Sequence, residues 1–140
     1  MKNIVLILTL LVSIVSCKIT DKNEGREITS EMLENPTTIE FEEPEYNFGE
    51  ISLGSEVEFS FKFKNSGDQI LIIHSVKAAC GCTVLKDWPK QPIKPGESGE
   101  IPVVFNSKVA GMQKKYVSII ANTRPSITKV YLTGTVIGPE

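Results

Sequence analysis

The most constraining feature of the sequence is a strict alternation of apolar and polar residues over positions 57–64. Apolar Val57, Phe59, Phe61 and Phe63 alternate there with polar Glu58, Ser60, Lys62 and Lys64. A β-strand turns successive side chains to opposite faces, whereas a helix would scatter these four apolar groups around its axis. The segment is therefore predicted to be a half-buried strand whose phenylalanines lie in a core.

Turn residues separate further strand-like segments on both sides of this one. Pro44 is predicted to break a first strand between residues 39–41 and 46–49, because proline cannot donate a ladder hydrogen bond. After a turn at 65–68, the nearly continuous apolar run 70–76 is predicted to return as the second half of a hairpin. Its composition indicates burial on both faces or a central position in a sheet.

The second half of the chain continues the pattern. Strands are predicted at residues 101–105, 116–121 and 127–137. Pro102 indicates an edge strand or the start of a strand. About seven strands in about 100 residues, without a convincing helix, predict an all-β fold, an immunoglobulin-like antiparallel sandwich. A small closed barrel is the alternative fold.

The N-terminus carries a different signal. Lys2 precedes an apolar run at residues 4–15, which is shorter than the roughly 20 residues that a membrane-spanning helix needs. This order is typical of a signal peptide. Ile14-Val15-Ser16-Cys17 resembles the cleavage box of bacterial lipoproteins, which implies a diacylglyceryl group on the Cys17 thiol, cleavage before Cys17 and acylation, for example with palmitate, of its amino group.

These signals divide the chain into three parts. Residues 1–16 are predicted to be a lipoprotein signal peptide, 17–38 a lipidated cysteine with a flexible, charge-rich tether, and 39–140 the sandwich domain. Each methylene of an acyl chain that is buried in a membrane contributes about 0.8 kcal/mol of binding free energy. The protein is therefore predicted to be anchored to the membrane without spanning it. The formal net charge of −2 and the scattered basic residues exclude a nucleic-acid-binding stripe.

The domain resembles a bacterial family known as domain of unknown function 1573. The resemblance covers residues 39–138 and rests on these segments: 46–51 (YNFGEI), 61–68 (FKFKNSGD), 79–83 (ACGCT), 92–97 (PIKPGE), 121–122 (AN) and 132–134 (LTG). It implies an immunoglobulin-like sandwich related to Hydin-type and major-sperm-protein-like modules. It implies no established activity, but a binding or structural role on an envelope lipoprotein.

Cys80 and Cys82 are the main candidates for chemistry. Lipidation of Cys17 leaves these two sulfurs as a pair. Their Cα atoms would lie roughly 6.6 Å apart in an extended strand, at the upper limit for a disulfide, although Gly81 can bend the chain. Three interpretations stay open: a structural pair, a strained and easily reduced redox disulfide, and a site for a soft metal such as Cu(I) or Zn²⁺.

Few other residues can complete such a site. His74 is the sole histidine, and in a straight strand it would lie about 20 Å from Cys80. Met112 is a possible thioether ligand or a turn residue. Trp88, before Pro89, either is exposed to a partner in a proline-rich loop or covers one end of the sandwich. Glu40, Glu42, Glu43 and Glu45 are predicted to form a solvated rim, because no calcium-loop spacing accompanies them.

Together these observations predict a binding or scaffolding module of the bacterial cell envelope. No nucleophile elbow or phosphate-binding glycine loop is present in the sequence, so an enzyme is not expected. The outer membrane is favoured over the inner, with the domain in the periplasm or on the cell surface. The predicted partners are the membrane, through the lipid, and an envelope protein or polysaccharide. The alternative is a thiol-redox or soft-metal protein that uses Cys80 and Cys82.

Overall fold

The computed structural model describes residues 26–79, 83–85 and 87–138, which form one short helix and eight strands. The helix, α1, is Ser30–Glu34. The strands are β1 (Ile39–Phe41), β2 (Glu45–Ser52), β3 (Glu56–Asn65), β4 (Ile73–Ala78), β5 (Thr83–Leu85), β6 (Ser98–Asn106), β7 (Gly111–Ala121) and β8 (Ile127–Ile137). In this described part of the chain, no helix is long and apolar enough to cross a bilayer.

The strands form two four-stranded sheets. Sheet 1 has the order β1-β3-β6-β5 and sheet 2 the order β2-β8-β7-β4. Neighbouring strands are antiparallel except β2 and β8, which run parallel. Because the strands divide between two separate sheets, the predicted immunoglobulin-like sandwich is confirmed and the closed-barrel alternative is wrong.

The core lies between the sheets and follows the alternation of the sequence. Its fully buried side chains include Phe61 and Phe63 of β3, Phe105 of β6, Val117 and Ile119 of β7, and Val130 and Leu132 of β8. Phe59 is partly buried and packs against this cluster. A fully buried side chain of this size contributes about 1.5–3 kcal/mol, so the period of two largely determines which face of each strand turns inward.

The hairpin predicted from β3 and the following apolar run is wrong. β3 belongs to sheet 1, whereas β4 belongs to sheet 2 and lies at its edge. Leu71, Ile72 and Ile73 are at most 2% exposed. Leu71 exchanges backbone hydrogen bonds of 2.8 and 3.0 Å with Ile93. The run is therefore apolar because the chain passes between the two sheets there, surrounded by core, and not because the strand is central.

The two prolines differ in how well they predict the fold. Pro44 separates β1 from β2, and these strands lie in different sheets, so the predicted break is confirmed. Pro102 lies inside β6, a central strand, so the prediction of an edge strand or strand start is wrong. β5 pairs only with residues 103–105 of β6, which leaves Pro102 with a neighbouring strand on the β3 side alone.

A buried polar network fixes the N-terminal segment to the domain. Thr37 is 4% exposed, and its N–H donates to the Asn122 carbonyl at 3.0 Å. The Thr37 hydroxyl donates to Asn65 Oδ1 at 2.7 Å, while Asn65 Nδ2 donates to the carbonyls of Gln69 and Ile93 at 2.8 and 3.0 Å. The packed domain therefore begins before residue 39, and part of the predicted tether belongs to it.

Candidate binding surfaces

The outer face of sheet 1 is covered with charges of opposite sign. Lys62 of β3 stands opposite Glu100 of β6, and Lys64 stands opposite Glu40 of β1. All four side chains are exposed. Such cross-strand pairs stabilise a solvated sheet face.

The outer face of sheet 2 carries aromatic rings instead. Tyr116 of β7 stands opposite Tyr131 of β8, with ring centroids 6.3 Å apart in an edge-to-face arrangement. The Lys129 ammonium lies 4.5 Å from the centroid of Tyr116, and that of Lys114 lies 4.9 Å from Tyr131. Lys114 also forms an ion pair of 3.2 Å with Glu45 of β2. These contacts hold both rings on the surface of the sheet.

A groove of about 520 Å³ continues this face along β8. We call it the β8 groove; its lining includes Thr133, Gly134 and Thr135 of β8, Glu45, Asn47, Gly49 and Glu50 of β2, and Met112 and Lys114 of β7. Its volume lies within the range of small-molecule sites. Among the described residues, neither threonine hydroxyl has an intramolecular hydrogen bond.

The local sequence Asn47-Phe48-Gly49 shapes the β2 side of this groove. The pairing of β2 with β8 changes register between Asn47 and Glu50, as in a β-bulge. Gly49 has φ of 69°, which glycine adopts without strain, and its N–H donates to Asn47 Oδ1 at 2.8 Å. Phe48 meanwhile stacks on Phe105, with centroids 5.1 Å apart. The bulge thus packs the partly buried Phe48 ring against the core, while Gly49 adds no side chain to the groove.

An apolar cluster lies at the end of the sandwich next to the groove. We call Leu53, Val109, Met112 and Ile137 the end cluster; Met112 is 90% exposed and Val109 67%. The Leu53 N–H donates to the Ile137 carbonyl at 2.8 Å, which places these two residues side by side. Met112, predicted as a thioether ligand or turn residue, lies inside β7 and links this cluster to the β8 groove.

The predicted cysteine sites lie outside the described residues. This applies to Cys17 and to the pair Cys80 and Cys82, so the lipid anchor and the structural, redox and metal interpretations stay predictions. The residues that flank the pair lie on different sheets: the Ala79 N–H donates to the Tyr116 carbonyl at 3.0 Å, and Thr83 pairs with Phe105. No group of three or more His, Cys, Asp or Glu side chains suited to a metal occurs within the described ranges.

The other predicted site residues are separated from one another. Trp88 is 5% exposed and belongs to the core cluster, so the indole is not the exposed partner contact that was one of its two interpretations. The Lys90 ammonium lies 5.4 Å from its ring. His74 Nδ1 lies 3.3 Å from the Arg26 carbonyl oxygen. Glu40, Glu42, Glu43 and Glu45 are all exposed, in agreement with a solvated rim.

Sequence reasoning did not find the β8 groove. The sequence feature that points to the groove is the alternation within the strand predicted at 127–137, which puts Tyr131, Thr133 and Thr135 on the face opposite to the core. The pairing partner of these residues could not be deduced, because the parallel neighbour β2 is distant in sequence.

Comparison with protein families decides what kind of domain this is. The model of the family described as protein of unknown function (DUF1573) matches residues 39–136. The chain belongs to the DUF1573 family. A comparison with curated protein sequences finds no match.

Solved structures similar to this DUF1573 domain share its sandwich. A protein of unknown function from Porphyromonas gingivalis W83 has a TM-score of 0.61 and 18% identity, covering 71% of this chain and 46% of that one. The secreted serine protease VesC from Vibrio cholerae has a TM-score of 0.60 and 10% identity, covering 70% of this chain and 23% of that one. A PapD-like domain of human CEP192 has a TM-score of 0.59 and 12% identity, covering 87% and 99%.

These similarities concern the fold alone, because the sequence identities are low. The DUF1573 chain spans less than half of the Porphyromonas gingivalis chain and about a quarter of VesC. Nothing in them indicates catalysis by this domain, and the expectation that it is not an enzyme stays a prediction.

Proposed function

We propose that this DUF1573 protein is a lipid-anchored module of the bacterial cell envelope that binds a partner through the outer face of sheet 2. The observation that carries the proposal is the difference between the two faces. Sheet 1 exposes paired charges, whereas sheet 2 presents the exposed Tyr116, the half-buried Tyr131 and the β8 groove. Exposed aromatic rings beside hydroxyl and amide groups are characteristic of binding surfaces.

The outer face of sheet 2 is a better candidate than the edges of the two sheets. The edge strands β1 and β5 have three residues each. The longer edge strands β2 and β4 both contain a register shift. Short or bulged edges protect a sheet against the addition of a further strand.

The anchor is supported by the sequence before the domain. The order of Lys2, an apolar run and Ser16-Cys17 is that of a lipoprotein signal. The nine residue-to-residue steps from Cys17 to Arg26 would span at most about 30 Å when extended, so the domain would stay close to the lipid surface.

Membrane fractionation of the full-length protein tests the anchor. We expect Cys17→Ser to move the protein into the soluble fraction and to abolish incorporation of an alkyne-labelled palmitate. Cys82→Ser is the matched control and should stay in the membrane and incorporate the label. Retention of Cys17→Ser in the membrane fraction would show that the anchor is not on this residue.

Binding to solubilised envelope components tests the face. The wild-type protein and Lys62→Ala, on the outer face of sheet 1, should retain the same partner. Tyr131→Ser, on the outer face of sheet 2, should lose it. Equal retention by all three proteins would exclude the outer face of sheet 2 as the binding surface.

A further inference from the structure

We infer that the β8 groove binds an uncharged, unbranched polysaccharide strand. This inference rests on the proposed function, because it names the partner of the same face. Its three supports are the charge balance of the groove, the chemistry of its polar groups and the line of side chains along β8.

The lining of the groove carries two carboxylates, of Glu45 and Glu50, and one ammonium group, of Lys114. Glu45 and Lys114 neutralise each other at 3.2 Å. Glu50 lies in the groove beyond them, while Lys129 lies over Tyr116 at the opposite end of the face. A polyanion would meet the two carboxylates of the groove, and a polycation that extends along the face would meet the ammonium groups of Lys114 and Lys129, so an uncharged polymer meets the least repulsion.

The polar groups of the groove match those of a sugar. The Thr133 and Thr135 hydroxyls both donate and accept hydrogen bonds. Asn47 Oδ1 already accepts from Gly49, so the exposed Asn47 amide nitrogen is left as a donor, while Glu50 is an acceptor. Sugar hydroxyls also donate and accept, and each can satisfy either kind of group.

The backbone of the groove floor is not accessible to a ligand. β8 is hydrogen-bonded to β2 on one side and to β7 on the other, so its N–H and C=O groups point into the sheet. Recognition must therefore use side chains alone. This favours a ligand with many hydroxyl groups over an extended peptide, whose main chain would find no partner strand.

The side chains are arranged in a line. Tyr131, Thr133 and Thr135 follow one another on the same face of β8, so the line is about 13 Å long at about 3.3 Å per residue. Tyr131 offers a flat ring for the C–H groups of a pyranose, and Tyr116 lies beside it. When the sugar occupies this ring, the Lys114 ammonium can move aside and donate to a sugar hydroxyl, because its side chain is 61% exposed.

Titration of the mature lipidated protein in detergent with defined hexasaccharides tests the inference. The probes are hexamers of N-acetylglucosamine and of β-linked glucose, with a galacturonate hexamer as the charged control. We expect saturable binding of at least one neutral hexamer and no binding of galacturonate. The double variant Thr133→Val and Thr135→Val should weaken binding by about tenfold or more, because it removes two hydroxyls and keeps their shape.

Thr128→Val is the matched control, since Thr128 lies on β8 but on the opposite face, and it should bind like the wild type. Binding of the N-acetylated hexamer alone would indicate an amino-sugar polymer, and binding of the glucose hexamer a plain glucan; either supports the inference. Absence of binding to both, equal binding of galacturonate, or unchanged binding by the double variant would overturn it. If a protein is instead retained from the envelope and lost in Tyr131→Ser, the proposed function stands and this inference fails.

Discussion

The ring of Phe48 lies so close to the backbone of Gly134 that a Cβ at this glycine would overlap the ring and lie 2.7 Å from the Gly49 carbonyl oxygen. Gly134→Ala is therefore expected to lower the free energy of unfolding by about 1–3 kcal/mol, as overpacking usually does. Urea denaturation measures this. Gly138→Ala is the control, because its Cβ would meet Ala110 Cβ at 3.3 Å and should cost little.

A second variant separates this contact from a general effect of the added methyl group. In a Phe48→Leu background the smaller side chain leaves room, so Gly134→Ala should cost less than it does in the wild type. An equal cost in both backgrounds would contradict the close contact.

Asn65→Ala is expected to destabilise the domain by about 2–3 kcal/mol, because buried hydrogen-bonding groups lose their partner. Asn65 is fully buried, and its amide contacts Thr37, Gln69 and Ile93. Thermal and urea unfolding measure the change. Asn106→Ala removes one exposed hydrogen bond of 3.2 Å to the Gly54 carbonyl. It should lower the free energy of unfolding by only a few tenths of the loss expected for Asn65→Ala.

The same network predicts where the domain can be cut. A protein beginning at residue 39 lacks Thr37, with its bonds to Asn65 and Asn122, and should unfold at a lower urea concentration than one beginning at residue 26. Identical midpoints would show that residues 26–38 contribute nothing to stability and would place the start of the domain at residue 39.

Trp88 gives an intrinsic optical test of the core. It is the only tryptophan, so all tryptophan emission comes from it. Because it is 5% exposed, we expect emission at shorter wavelength than free indole and weak quenching by acrylamide, both lost on unfolding. Quenching of the folded protein as strong as that of N-acetyltryptophanamide would contradict the burial.

Met112 should be oxidised by peroxide faster than Met32. Met112 is 90% exposed, whereas Met32 is partly buried on α1, and exposure governs the rate of sulfoxide formation. Peptide mapping by mass spectrometry over time measures both sites in one sample. Equal rates, or slower oxidation of Met112, would contradict its position on the rim of the β8 groove.

The local features of this fold could be predicted from the sequence, whereas the long-range pairing could not. Alternation at Phe59, Phe61 and Phe63 gives the inward face of β3 because it depends only on the period of a strand. The apolar run at Leu71–Ile73 cannot tell a hairpin strand from a crossover between sheets, because a buried strand and a buried crossover have the same apolar composition. Pairing of β2 with β8 leaves no local signal, and the β8 groove depends on that pairing.

The order of sheet 2 also determines when the domain can fold. β8 is the last strand of the domain, yet it lies between β2 and β7. A chain that leaves the ribosome or an export channel N-terminus first therefore exposes β2 without a neighbour until residues 127–137 have emerged. A chain truncated before residue 127 would therefore leave β2 without any neighbouring strand and β7 with one unpaired edge.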